Sequence, residues 1–122
     1  MKTLTVIDDH GCGTVKEAVV GVLGHAYNCE KDVHEDVFVC LLNNCPSYYT
    51  INRLYTDTAG KVHLSTNATQ FMENGIKPVE QQIERFNEGQ KNLNFGEPQS
   101  LRLATDEEVE RFLETRMIHA LA

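Results

Sequence analysis

Residues 14–28 read TVKEAVVGVLGHAYN, and the fold turns on whether this stretch is helix or strand. Val15, Ala18, Val19, Val22, Leu23 and Ala26 recur at helical spacing, which gives residues 15–27 one apolar face. Thr14 and Glu17 form a T-x-x-E capping box, in which each side chain satisfies a backbone donor exposed at the other's end of the first turn. Together they predict a helix that starts at Val15.

Upstream of it, KTLTVID (2–8) alternates Leu4 and Val6 and ends on Ile7, which reads as a strand. Downstream, NCEKDVHED (28–36) is a polar connection. VFVCLL (37–42) is a continuous apolar run suited to a central strand buried on both faces. After NNCPS breaks that run, YYTINRLYT alternates and is rich in aromatic and β-branched residues; DTAG then turns the chain into KVHLS. An antiparallel hairpin over residues 48–65 follows. Helical signals resume at Thr66 with Phe71 and Met72, and Asn74-Gly75 ends that short helix. Pro78 opens another helix, whose apolar stripe is Val79, Ile83 and Phe86.

SLRLA (100–104) is a short strand with Leu101 and Leu103 on one face. Thr105 and Glu108 form a second capping box, opening a helix with Val109, Phe112, Leu113, Met117, Ala120 and Leu121 on one side. The expected order is β-α-β-β-β-α-α-β-α. It predicts an α+β fold, with a mostly antiparallel sheet of about 4–5 strands and helices packed on one face.

The chain has 122 residues, 41% hydrophobic and 24% charged, which fits one soluble globular domain over residues 1–122. No apolar run approaches the roughly 20 residues a spanning helix needs, and the N-terminus lacks the apolar core of a signal peptide, so the expected compartment is the cytoplasm. Cys12, Cys29, Cys40 and Cys45 include no C-x-x-C pair and are expected as reduced thiols. The net charge is −7. Residues 1–60 carry 8 acids and 4 bases and residues 61–122 carry 10 and 7, so neither half offers a basic footprint for nucleic acid or an anionic membrane.

The chemistry-bearing residues gather in VIDDHGCGT (6–14). LTVIDDHGCGTVKEAVVGVL resembles the opening of a response-regulator receiver domain, in which an acidic pair at the end of the first strand holds magnesium. The resemblance implies Asp8 and Asp9 as oxygen ligands for a hard cation, and offers Asp57 and Lys77 as the family's phosphoacceptor and lysine. The chain then departs from that pattern. Asp57 falls in a hairpin turn, and 19 residues lie between it and Lys77, too few for two strands and a helix.

Read on their own residues, these positions allow several chemistries. Cys12 near a helix start is a candidate nucleophile with His10 as its base, although Asp8 and Asp9 oppose a thiolate. Gly11 and Gly13 could curl around a phosphate, but no lysine or arginine stands in the loop. Asp8, Asp9 and His10 make the alternative site for a divalent metal ion. His25, Cys29 and His34, with Cys12 or His10, make a zinc-type donor set at spacings that match no established finger. The simplest reading needs no ligand: glycines reverse the chain, and solvated acids face the helix dipole.

Elsewhere, Tyr48, Tyr49 and Tyr55 in the hairpin could present a partner surface. Cys45-Pro46 sits at a turn, and His63 and His119 are isolated, with no acid at a catalytic spacing. Glu107, Glu108, Glu110 and Glu114 give the last helix an acidic face able to dock on a basic surface. The expectation is a small acidic protein without cofactor that acts by binding a protein partner, as a regulator or inhibitor, rather than by catalysis. The alternative is a metal- or cysteine-dependent enzyme using Asp8, Asp9, His10 and Cys12. Homodimerisation through a hairpin edge or the last helix is left open.

Overall fold

The computed structural model describes residues 3–8, 14–28, 31–41, 48–72, 78–92 and 98–121. Its elements run β1 (Thr3–Asp8), β2 (Thr14–Asn28), β3 (Val33–Leu41), β4 (Tyr48–Thr56), β5 (Val62–Met72), α1 (Val79–Lys91), β6 (Ser100–Leu103) and α2 (Asp106–Leu121). The α+β class stands. The expected strand count, element order and one-sided helix layer do not: among the described residues six strands form one mixed sheet with two helices.

The largest correction is to residues 14–28, which are a strand and not a helix. β2 pairs antiparallel with β1 (Thr3↔Val19 to Asp8↔Thr14) and with β3 (Val19↔Leu41 to Asn28↔Val33). The reason the pattern imitates a helix is visible in the register. Between Leu23 and Ala26 the ladder carries an extra residue on β2, and His25 there has a left-handed φ of 61°. Such a bulge shifts the side-chain alternation by one. Val19, Leu23 and Ala26 therefore all enter one core cluster at spacings of four and three, the spacing of a helix face. Ala18 and Val20 enter the opposite cluster. A strand buried on both faces reads as a continuous apolar run, and β-branched valines favour it. Glu17 caps nothing: its Oε1 accepts a 2.6 Å hydrogen bond from Thr5 Oγ1, its cross-strand partner.

β2 organises the sheet because one of its edges serves two strands. β1 pairs with its first part and β6 with Gly21–Gly24, while β3 takes the other edge. Gly21 has to be small here, since a Cβ would lie 2.7 Å from Leu41 Cδ1 and 3.3 Å from the Arg102 carbonyl oxygen.

β3, β4 and β5 continue as a meander, and β5 returns to lie parallel to β1 at Val6↔Val62 and Ile7↔His63. Five strands thus pair in a ring, and an odd-numbered meander can close only through a parallel pair. Each strand of the ring contributes to one cluster: Val6, Ala18, Val20, Cys40, Leu54, Val62 and Leu64, joined by Val109 and Phe112 of α2. The other cluster joins β2, β3, β4 and β6 to Val79 and Phe86 of α1. The two helices therefore cover different cores, in place of the single helical layer expected.

The hairpin expected at 48–65 exists but is longer. β5 runs on to Met72, so residues 66–72 are strand and not the start of a helix; Asn74-Gly75 lies outside the described residues. The helix after Pro78 and its Val79 and Phe86 stripe are found as read, with Ile83 packed against the same cluster. Residues 33–36, read as connection, belong to β3.

α1 also finishes the sheet. Asn87 donates to the Leu101 carbonyl and accepts from the Leu101 N–H, both at 2.8 Å, and Gln90 Oε1 accepts from Gln99 N at 2.9 Å. These bonds occupy backbone groups that β6 would otherwise offer to another chain.

Candidate functional site

Glycine turn first: its flanks Asp8 and Thr14 are partners in an antiparallel ladder, and Asp9, His10, Gly11, Cys12 and Gly13 lie outside the described residues. No helix begins at Val15, so the helix dipole expected from residues 15–27 does not exist. Of the zinc-type set, Cys29 lies outside the described residues, His25 occupies the β2 bulge, and His34 lies against its cross-strand partner Tyr27 with centroids 5.3 Å apart. Among the described residues no three His, Cys, Asp or Glu side chains converge as metal ligands.

The acidic face on α2 divides. Glu107, Glu110 and Glu114 are exposed along one stripe, opposite Val109 and Phe112. Glu108 is engaged within the fold. It accepts from Arg102 Nη1 and Nη2 at 2.7 and 2.9 Å and from Thr105 N at 2.9 Å, and its own N–H donates to Thr105 Oγ1 at 3.1 Å. That is the expected capping box with an arginine clamped onto it. Arg102 first, then the Thr105 N–H, hold the Glu108 carboxyl down to about 2, and the carboxylate in turn raises the Arg102 guanidinium. Glu108 therefore anchors the β6–α2 junction.

Sequence reading missed the arrangement around Tyr55 and His63. The Asp57 carboxylate caps its own turn, with Oδ1 accepting from Ala59 N and Lys61 N, each at 2.9 Å, and Gly60 supplies the positive φ of 82°. Its Oδ2 lies 2.7 Å from His63 Nε2. The His63 bond is the main cause, ahead of the Lys61 N–H, that lowers the Asp57 carboxyl below its ordinary value. His63 stacks on its cross-strand partner Tyr55, centroids 5.1 Å apart and planes 17° apart. The signal was present in the sequence: acid and histidine flank a turn, and only the hairpin register shows that they meet.

Tyr55 leads into a region where, among the described residues, two strands of the ring part. Among the described residues, β3 and β4 share a single bridge, Val39↔Arg53. Continuing that register would pair Phe38 with Leu54 and Val37 with Tyr55, and neither pair forms. Instead Val37, Phe38, Arg53, Leu54, Tyr55, Ser65 and Phe112 line a cleft of about 320 Å³. Two irregularities in the β4–β5 ladder, between Ile51 and Asn52 and between Asn52 and Leu54, place extra residues on β5 and increase the local twist.

Three aromatic side chains form much of the wall. Phe38 and Phe112 meet at 5.0 Å and 48°, fixing α2 against β3, while Tyr55 is held by His63. Arg53 supplies the cation. It donates through Nη2 to the Tyr27 carbonyl oxygen, and its Nε is buried with no acceptor among the described residues. Tyr48, the other tyrosine expected at a partner surface, pairs with Met72 through its backbone; its side chain lies outside the described residues. Among the described residues no helix is long and apolar enough to cross a membrane. Compared with protein-family models, curated proteins and solved structures, the chain matches none.

Proposed function

We propose that the chain acts by binding, and that its binding site is the cleft between β3 and β4, which takes a small amphipathic organic molecule. One observation carries the reading: among the described residues two neighbouring strands of the ring share only the Val39↔Arg53 bridge, and the gap beside it is walled by Phe38, Leu54, Tyr55 and Phe112. Pockets for small molecules combine apolar and aromatic walls with a few polar groups, and here Arg53 and Ser65 stand among the apolar and aromatic side chains. N-phenyl-1-naphthylamine, a neutral dye that brightens in apolar surroundings, tests it. Wild type should bind the dye saturably at one site. Ser65→Phe, which places a ring inside the cleft, should abolish that site while circular dichroism stays unchanged. Equal binding by the variant, or no saturable site in wild type, contradicts the reading.

A second reading keeps a protein partner with a basic surface, for a regulator or inhibitor. It is favoured by the exposed stripe of Glu107, Glu110 and Glu114, opposite the residues that anchor α2. Glu108 is left out, being held by Arg102. Reversing the three exposed charges should release a stoichiometric basic partner recovered with the wild type; an unchanged complex contradicts it. The oligomeric state of the pure chain separates such a partner from a second copy.

A further inference from the structure

Past its last neighbours the β2–β3 hairpin runs on as an arm. Among the described residues Ala26–Asn28 pair with Val33–Glu35 and with no third strand, since β6 stops at Gly24 and β4 meets β3 at Val39. The arm is braced from within. The Tyr27 hydroxyl donates to Asp32 Oδ1, the Tyr27 ring lies against His34, and Lys31 Nζ stands 3.9 Å from Glu35 Oε2. At its root is the bulge, where His25 holds a left-handed φ of 61° that few non-glycine residues adopt.

Arg53 shows which way the arm goes, because its Nη2 donates to the Tyr27 carbonyl oxygen. Laid flat, Tyr27 would stand about 17 Å along the strands from the Val39↔Arg53 bridge, since its partner His34 is five residues from Val39. An arginine side chain spans only about 7 Å. The arm therefore curls back toward β4, and the bulge is the bend that permits it. Val37 and Phe38, at the arm's root, line one side of the cleft and Arg53 lines the other, so this bond ties the arm across the gap.

The bond is an imperfect latch. Its acceptor is neutral, and while it is closed Arg53 Nε is buried with no acceptor among the described residues. A buried donor left unbonded costs free energy, which hydration returns when the arm lifts. Closed and open arms are thereby brought close in free energy, the condition for a two-state element. We infer that the β2–β3 arm is a lid on the cleft, hinged at Gly24–His25 and latched by Arg53 on the Tyr27 carbonyl. Ligand enters and leaves when the latch opens; this consequence rests on the binding reading above.

Two readouts on the full chain test this, and the first needs no ligand. Amide nitrogen relaxation dispersion on wild type should show Ala26, Tyr27, His34 and Glu35 sharing one exchange rate in the microsecond-to-millisecond range of lid motions. Arg53→Met should move the shifts of these amides along the line that the wild-type exchange defines, toward the open arm. The second readout is stopped-flow binding of N-phenyl-1-naphthylamine. Arg53→Met should raise its association and dissociation rates about fivefold or more, as loss of one net hydrogen bond predicts, while affinity changes less than either rate. His25→Val, whose branched side chain disfavours the left-handed bulge, should raise the same two rates with Arg53 intact. Arm amides that share no exchange in wild type, or dye rates unchanged in both variants, overturn the lid and leave the cleft as a binding site. Absence of a saturable dye site in wild type overturns the binding reading itself, and the lid with it. Should one variant not fold, the other decides together with the wild-type exchange.

Discussion

Asp57 and His63 close the β4–β5 turn, with the carboxylate Oδ2 2.7 Å from the ring Nε2, and His63 in turn backs Tyr55 on the cleft wall. The pair is a structural clasp beside the proposed cleft. Because the Asp57 carboxyl is lowered in the folded state from its ordinary 3.8, its contribution to stability is complete above that ordinary value. It is lost as pH falls through the lowered folded-state value. Asp57→Asn should therefore lower the urea midpoint at neutral pH and flatten its decline on acidification. An identical acid profile for wild type and variant would remove the clasp from the account.

The Glu108–Arg102 pair makes a parallel prediction at the other end of the sheet. With the carboxyl held at about 2 against an ordinary 4.5, its stabilising effect is whole above 4.5 and disappears between 4.5 and 2. Arg102 is half exposed, so solvent screens most of the attraction. Glu108→Gln should cost about 1 kcal/mol at neutral pH, mostly through the weakened arginine clamp and cap. Chemical denaturation at pH values above and below this window measures it.

Gly21→Ala separates strand from helix at the residues that decide the fold. In a helix interior the change would stabilise by about 1 kcal/mol. In β2 the new Cβ meets Leu41, which is fully buried and has little room to move, and the Arg102 carbonyl oxygen. The expected result is a loss of about 1–3 kcal/mol, read from thermal or urea unfolding.

The hairpin, β6 and both C-terminal helices were legible, because turn chemistry, Pro78 and the Thr105–Glu108 box are local signals. Residues 14–28 misled for a physical reason: the bulge at His25 converts a period of two into spacings of four and three, and Thr14-x-x-Glu17 matches a capping box by residue type alone. Residues 66–72 were misread because Phe71 and Met72 carry no period that separates strand from helix over so short a stretch. The cleft could not be read from sequence, since it arises from pairs that fail to form between β3 and β4. Asp57 and His63 were visible singly, but their meeting depends on register, which the sequence states only after the hairpin ends are known.

The central claim is that the separation of β3 and β4 creates a binding site, and amide chemical-shift mapping during titration with N-phenyl-1-naphthylamine tests it most directly. The account predicts saturable shifts centred on Val37, Phe38, Leu54, Tyr55, Ser65 and Phe112, with small changes along the α1-covered face around Val79 and Phe86. Shifts centred on that α1 face, or none that saturate, would contradict it.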